Sequence, residues 1–251
     1  MNSIIDSPAM IGLSGFLTGF SGIFIGIAIS HFTKPRGRRF RGTTLGFIGG
    51  LMLGIVTFDL LPESYEQGNV FLTAAGIILG LALAVLLDGT LHHDNFLIRG
   101  RHSGRFVKAA IFMAIGIGIH NIPSGIALGS LFLSSPIKAF HLAVALIIHG
   151  IPEGLAVGLF LKESKAKSNT LMMISILTSL PMGLGSLLGS IAGTISPTVT
   201  SMSLAFAGGM ILYIICRETL PGATDTWRGR MSTIGNITGF VAGMLFVSFM
   251  H

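Results

Sequence analysis

Two short patterns set histidine beside proline in apolar surroundings: His120-Asn-Ile-Pro123 and His149-Gly-Ile-Pro152. Ser124 lies four residues after the first histidine and Glu153 four after the second, so each pair shares a helix face. Two imidazoles and a carboxylate at one level make a credible site for a divalent cation. Neutral imidazole suits Zn, Cu, Fe and Ni, and the carboxylate offsets charge. Zinc takes such nitrogen and oxygen ligands at about 2.0–2.2 Å. Asn121, Ser124, a backbone carbonyl or water would complete the shell. Pro123 and Pro152 each remove a backbone N–H and crowd the carbonyl four residues back, which predicts a kink in both helices. Irregular backbone of this kind is tolerated in a membrane where it lines a cavity or is buried in protein.

The elements that carry these residues are membrane spans. The chain has 251 residues, of which 51% are hydrophobic and 10% charged. Soluble domains carry about 25% charged residues, so a water-exposed fold of this size is excluded. Crossing a bilayer takes roughly 20 apolar residues in a helix. Eight stretches qualify: 10–30, 43–62, 69–90, 107–132, 137–161, 170–192, 199–216 and 233–250. The connections are short, which predicts one compact all-α membrane domain over 1–251. The 35 glycines fit membrane helices that pack closely, and Gly125 and Gly154 follow the two proline motifs. The one cysteine, Cys216, excludes an intramolecular disulfide and a multi-cysteine metal site.

Basic residues set the orientation. Lys34, Arg36, Arg38, Arg39 and Arg41 follow span one, and Arg99, Arg101, Arg105 and Lys108 follow span three. Lys162, Lys165 and Lys167 follow span five, and Arg217, Arg228 and Arg230 follow span seven. Only Lys138 lies on the other side. The odd-numbered loops are therefore expected in the cytoplasm and both termini outside, in a plasma (inner) membrane. The pI near 10 reads as topology, not as nucleic-acid binding.

Other polar residues are weighed by depth, because central charges are the costly ones. Asp59 and Glu63 flank Pro62 near the outer end of span two, as a cation entrance or a solvated helix end. Asp88, His92, His93 and Asp94 end span three, where a solvated loop is the simpler reading. His141 reads as a hydrogen-bonded structural histidine, and His102 and His251 as solvated. Asp59-Leu-Leu-Pro62 in span two is echoed by Glu218-Thr-Leu-Pro221 closing span seven, and the two spans run in opposite directions. The paired histidine motifs in antiparallel spans four and five repeat that relation. Inverted repeats around a midplane site of broken helices are a mark of secondary transporters.

These residues together resemble the ZIP metal-ion transporters, in particular the branch with GufA-like bacterial members. The resemblance covers nearly the whole chain. It rests on eight spans with outward termini, His120-Asn121-x-Pro123-x-Gly125 in span four and His149-x-x-Pro152-Glu153-Gly154 in span five. Asp59 to Glu63 and the run from Gly208 to Tyr213 are weaker matches. The resemblance implies that His120, His149 and Glu153 are ligands of the principal site and Asn121 a ligand of a second. Three departures reduce its carboxylates: Ser124 stands where the family usually has a bridging Glu, Gly150 where some members have Asp, and Ser179-Leu180-Pro181 where many have a Glu before the proline. The expectation is therefore a single-ion importer, for Zn²⁺ first and Fe²⁺, Mn²⁺ or Cd²⁺ after it, with the ion as substrate and no prosthetic cofactor. Its partners are the bilayer and the ion, with a homodimer as a compatible assembly.

Two competing readings remain. One is an intramembrane serine hydrolase using Ser124 with a histidine. Ser124 lacks a Gly-x-Ser-Gly turn and evident oxyanion donors, so a non-enzyme is expected. The other is the same fold with a non-metal cargo.

Overall fold

The computed structural model describes residues 7–33, 37–93, 103–164, 166–192 and 196–250. Among them are eight helices long and apolar enough to cross a membrane: Pro8–Phe32, Arg38–Gln67, Val70–Gly89, Ala110–Ser134, Pro136–Lys162, Ser168–Ala192, Pro197–Thr226 and Arg230–Phe249. These are spans one to eight, and the chain is a multi-pass helical membrane protein. Lys34, Arg36, Asp94, Arg99, Arg101, His102, Lys165 and His251 lie outside the described residues. So do the side chains of His92, His93, Arg105 and Lys108.

Spans two and seven are longer than the sequence predicts, for one physical reason. Each reaches its proline through a single π-helical turn, Val56–Leu60 before Pro62 and Ile215–Thr219 before Pro221. The Leu61 N–H donates to the Val56 carbonyl, and the Leu220 N–H to the Ile215 carbonyl, five residues back. A wide turn gives room to the carbonyl that the proline ring would strike and lets the helix continue. Arg217 and Glu218 therefore sit inside span seven instead of in a segment after it, and Arg217 leaves the loop charge tally. The repeated Asp59/Glu218 motif thus corresponds to a repeated structural device. The helices holding Pro123 and Pro152 also run unbroken through them, over Ser103–Ser134 and Pro136–Glu163.

The spans pack in two groups, one to each side of a central seam. Spans one, four, five and six form the first, and spans two, three, seven and eight the second. Spans four and seven, and two and five, meet across the seam. Within each group glycine lets backbones touch. Gly22 and Gly26 of span one face Gly150 and Gly154 of span five, and Gly54 of span two faces Gly243 of span eight. Lipid is as apolar as leucine, so such close van der Waals contact is what holds membrane helices together.

Polar ties fix the ends. The buried Ser64 hydroxyl pairs with Thr73 Oγ1 at 3.0 Å and donates to the Ser201 carbonyl at 2.9 Å, joining spans two, three and seven. At the opposite end Asp88 is buried, contrary to the solvated-loop reading. It accepts from the Tyr213 hydroxyl at 2.9 Å and Arg217 Nε at 3.3 Å. Lys162 Nζ donates to the Ser30 carbonyl at 2.9 Å and also to that of Thr33. An ammonium on the last carbonyls of a helix is worth about 1 kcal/mol. Lys162→Met is expected to lower the melting temperature in detergent by roughly 2–4 °C; an unchanged melt would remove this cap from the account.

Candidate metal site

Spans four and five bring His120, His149 and Glu153 together near mid-span. One ligand atom from each lies within 4.8 Å of the others. Glu153 Oε1 stands 3.7 Å from His149 Nε2 and 3.9 Å from His120 Nε2. Ligands of one tetrahedral zinc are about 3.4 Å apart, so the two Glu153 distances stand a few tenths of an ångström beyond coordination spacing. The imidazole rings are tilted with centroids 5.7 Å apart. His120 and Glu153 are 3% and 4% exposed, and neither His120 Nδ1 nor Glu153 Oε1 has a hydrogen-bond partner. A buried carboxylate oxygen with nothing to accept from is expensive, and a bound cation would satisfy it.

Above this group lies a cavity of about 290 Å³. It is lined by Asp59 and Glu63 of span two, His120, Ser124 and Ala127 of span four, Leu142 and His149 of span five, Thr200 of span seven and Val247 of span eight. In an alternating topology all the lining residues outside the histidines come from the same end of their spans, the end where both termini lie. Below the group the packing is apolar and nearly closed. Met52, Ile55, Val56 and Ile211 surround only about 10 Å³ beside Glu153. The arrangement is thus a cation-competent group reached from one side.

The other candidates distribute as follows. Ser124 lines the cavity but makes no hydrogen bond to either histidine. Asn121 is buried, and its Nδ2 donates to the Thr178 carbonyl at 3.0 Å, which holds its amide to span six. Ser179 donates to the Ser175 carbonyl of its own helix. Gly150 has a steric reason for lacking a side chain: a Cβ would stand 3.2 Å from the Gly22 Cα. Spacing along one helix could not reveal that Asp59 Oδ2 lies 3.9 Å from His149 Nδ1. Nor could it place Glu218 in a buried position. The repeated Asp/Glu-x-Leu-Pro motif was the signal for both.

Three potential metal ligands, two of them buried, meet at mid-span in an eight-helix membrane bundle, as a membrane protein that handles a cation would need. Comparison with known proteins agrees. A family model described as ZIP Zinc transporter matches residues 97–251. The chain is 31% identical to the zinc transporter GufA of Myxococcus xanthus over 93% of its own length and 94% of that protein. It is 28% identical to the zinc transporter ZupT of Corynebacterium efficiens, over 98% of this chain and 99% of the other. The chain belongs to the ZIP zinc transporter family.

Proposed function

We propose that this protein carries a divalent cation, zinc foremost, across the plasma (inner) membrane into the cytoplasm. The observation that carries the reading is the orphaned Glu153 oxygen facing nitrogens of two histidines that line a one-sided cavity. The names of the relatives support zinc as the cargo, with Fe²⁺, Mn²⁺ and Cd²⁺ as secondary ions. His120, His149 and Glu153 bind the ion, with Ser124 or water completing the shell. Asp59 and Glu63 draw the cation into the cavity. Asn121 serves the site by tying span four to span six through Nδ2, and its Oδ1 is the atom a ligand role would use.

The site holds one ion, because Ser124, Gly150 and Ser179 bring no carboxylate to bridge a second. Inward direction follows from the basic loops, which put the cavity mouth and both termini outside. The whole chain works as one domain, and lipid, or a second copy in a homodimer, covers the exposed apolar face of span three. The ion is substrate, and no prosthetic group enters the reading.

The direct test is the metal content of purified protein after equilibration with zinc and removal of excess. Wild type is expected to keep one zinc per chain and Glu153→Gln none. Two ions per wild-type chain would overturn the single-ion site, and equal content in both proteins would overturn the ligand set.

A further inference from the structure

We propose that Asp59 is a positioning residue for His149: its carboxylate accepts a hydrogen bond from Nδ1–H and so turns the Nε2 lone pair toward the ion. The proposal rests on the site described above. The two nitrogens of this ring face two carboxylates from different helices. Nε2 lies 3.7 Å from Glu153 Oε1, and Nδ1 lies 3.9 Å from Asp59 Oδ2. A neutral imidazole offers one lone pair, and which nitrogen carries it is set by what the other nitrogen meets. Metal-binding histidines almost always give their second N–H to a carboxylate, a carbonyl or water. Here the carboxylate is present on the required side. A gap of 3.9 Å exceeds a hydrogen bond, so a side-chain rotation at the cavity wall is required to close it.

Charge points the same way. A doubly charged ion on Glu153 and two neutral imidazoles leaves one positive charge uncompensated in apolar surroundings. Asp59, one ring away, adds a negative charge on that side of the ring. The backbone explains why Asp59 stands there. It belongs to the π-helical turn Val56–Leu60, whose extra residue rotates the helix faces on either side by about 100° relative to a plain α-helix. π-turns of this kind recur at functional sites. Asp59 belongs to span two and His149 to span five, so one packing group sets the tautomer of a ligand held by the other.

The test uses full-length protein with ¹⁵N-labelled histidine in nanodiscs, with the His149 signals assigned by their loss in His149→Gln. Two quantities are read: the histidine tautomer without metal, and zinc affinity with stoichiometry. In wild type His149 is expected as the Nδ1–H tautomer. Asp59→Leu is expected to shift it toward Nε2–H and to weaken zinc binding about 10–100-fold at unchanged stoichiometry. Asp59→Asn keeps an acceptor oxygen and is expected to retain the wild-type tautomer with a smaller loss of affinity. An unchanged tautomer in Asp59→Leu would overturn the proposal. So would the loss of one of two bound ions, which would make Asp59 a direct ligand. Failure of wild type to bind zinc would instead overturn the underlying site, while the metal-free tautomer would still decide the role of Asp59.

Discussion

Glu153→Ala is expected to reduce zinc uptake into proteoliposomes to the level of protein-free vesicles, a loss of at least ~100-fold. Altering a group one shell out from a metal costs 10–100-fold, and in the proposed site Glu153 contacts the ion directly. It is the only carboxylate in the three-residue group among the described residues. Without it, two neutral imidazoles would face a doubly charged ion in an apolar interior, where uncompensated charge is least tolerated. Stability should move the other way or not at all. The Glu153 oxygen has no hydrogen-bond partner, so removing it relieves a desolvation cost. Lost transport with an unchanged or higher melting temperature therefore separates chemistry from misfolding. Full uptake by both Glu153→Ala and His149→Ala would sink the site.

Gly154→Val is expected to prevent assembly of the bundle, read as loss of the monodisperse peak in size-exclusion chromatography. A Cβ at Gly154 would stand 2.9 Å from both the Cα and the carbonyl carbon of Ile23, and closer still to its oxygen. These are backbone atoms of a continuous helix and cannot rotate aside. Gly26 makes the reciprocal contact, with its virtual Cβ 2.6 Å from the Leu155 nitrogen. Span one must therefore move off span five, the helix that holds His149 and Glu153. Gly89→Ala is the control. A Cβ there meets nothing within 4 Å, and replacing a helical glycine should be neutral or stabilising by about 1 kcal/mol. Equal behaviour of the two variants would show that the close seam is not what holds the group together.

Eight spans and the grouping of His120, His149 and Glu153 were readable from residue types and spacing. Hydropathy reports spans directly, because lipid forbids unpaired backbone. The i, i+4 spacing puts His149 and Glu153 on one face, and antiparallel neighbours place His120 at their depth. What sequence reasoning missed depends on how helices pass their prolines. Read from sequence, span two ends at Pro62 and span seven at 216, short of Pro221; a proline ordinarily stops a helix. The π-turns before them carry both helices onward. That change buries Glu218 and brings Arg217 to Asp88. The meeting of Asp59 and His149 was hidden for another reason: it joins residues 90 positions apart across the seam, beyond the reach of any local period. The amide of Asn121 and its span-six acceptor were hidden in the same way.

The glycine seams also constrain how this chain can diverge. Where two helices touch through backbone, selection acts on the absence of a side chain. A drifting lineage has no intermediate step from Gly26 or Gly154 to anything larger. Where a helix presents an exposed apolar face, as at Ile78, Leu79 and Leu86 of span three, one apolar residue substitutes for another at little cost. Identity of 28–31% across nearly the full length of the relatives is what such a division of freedom would leave behind. The inherited feature would then be a register of gaps along each helix, kept while the residues between them turn over.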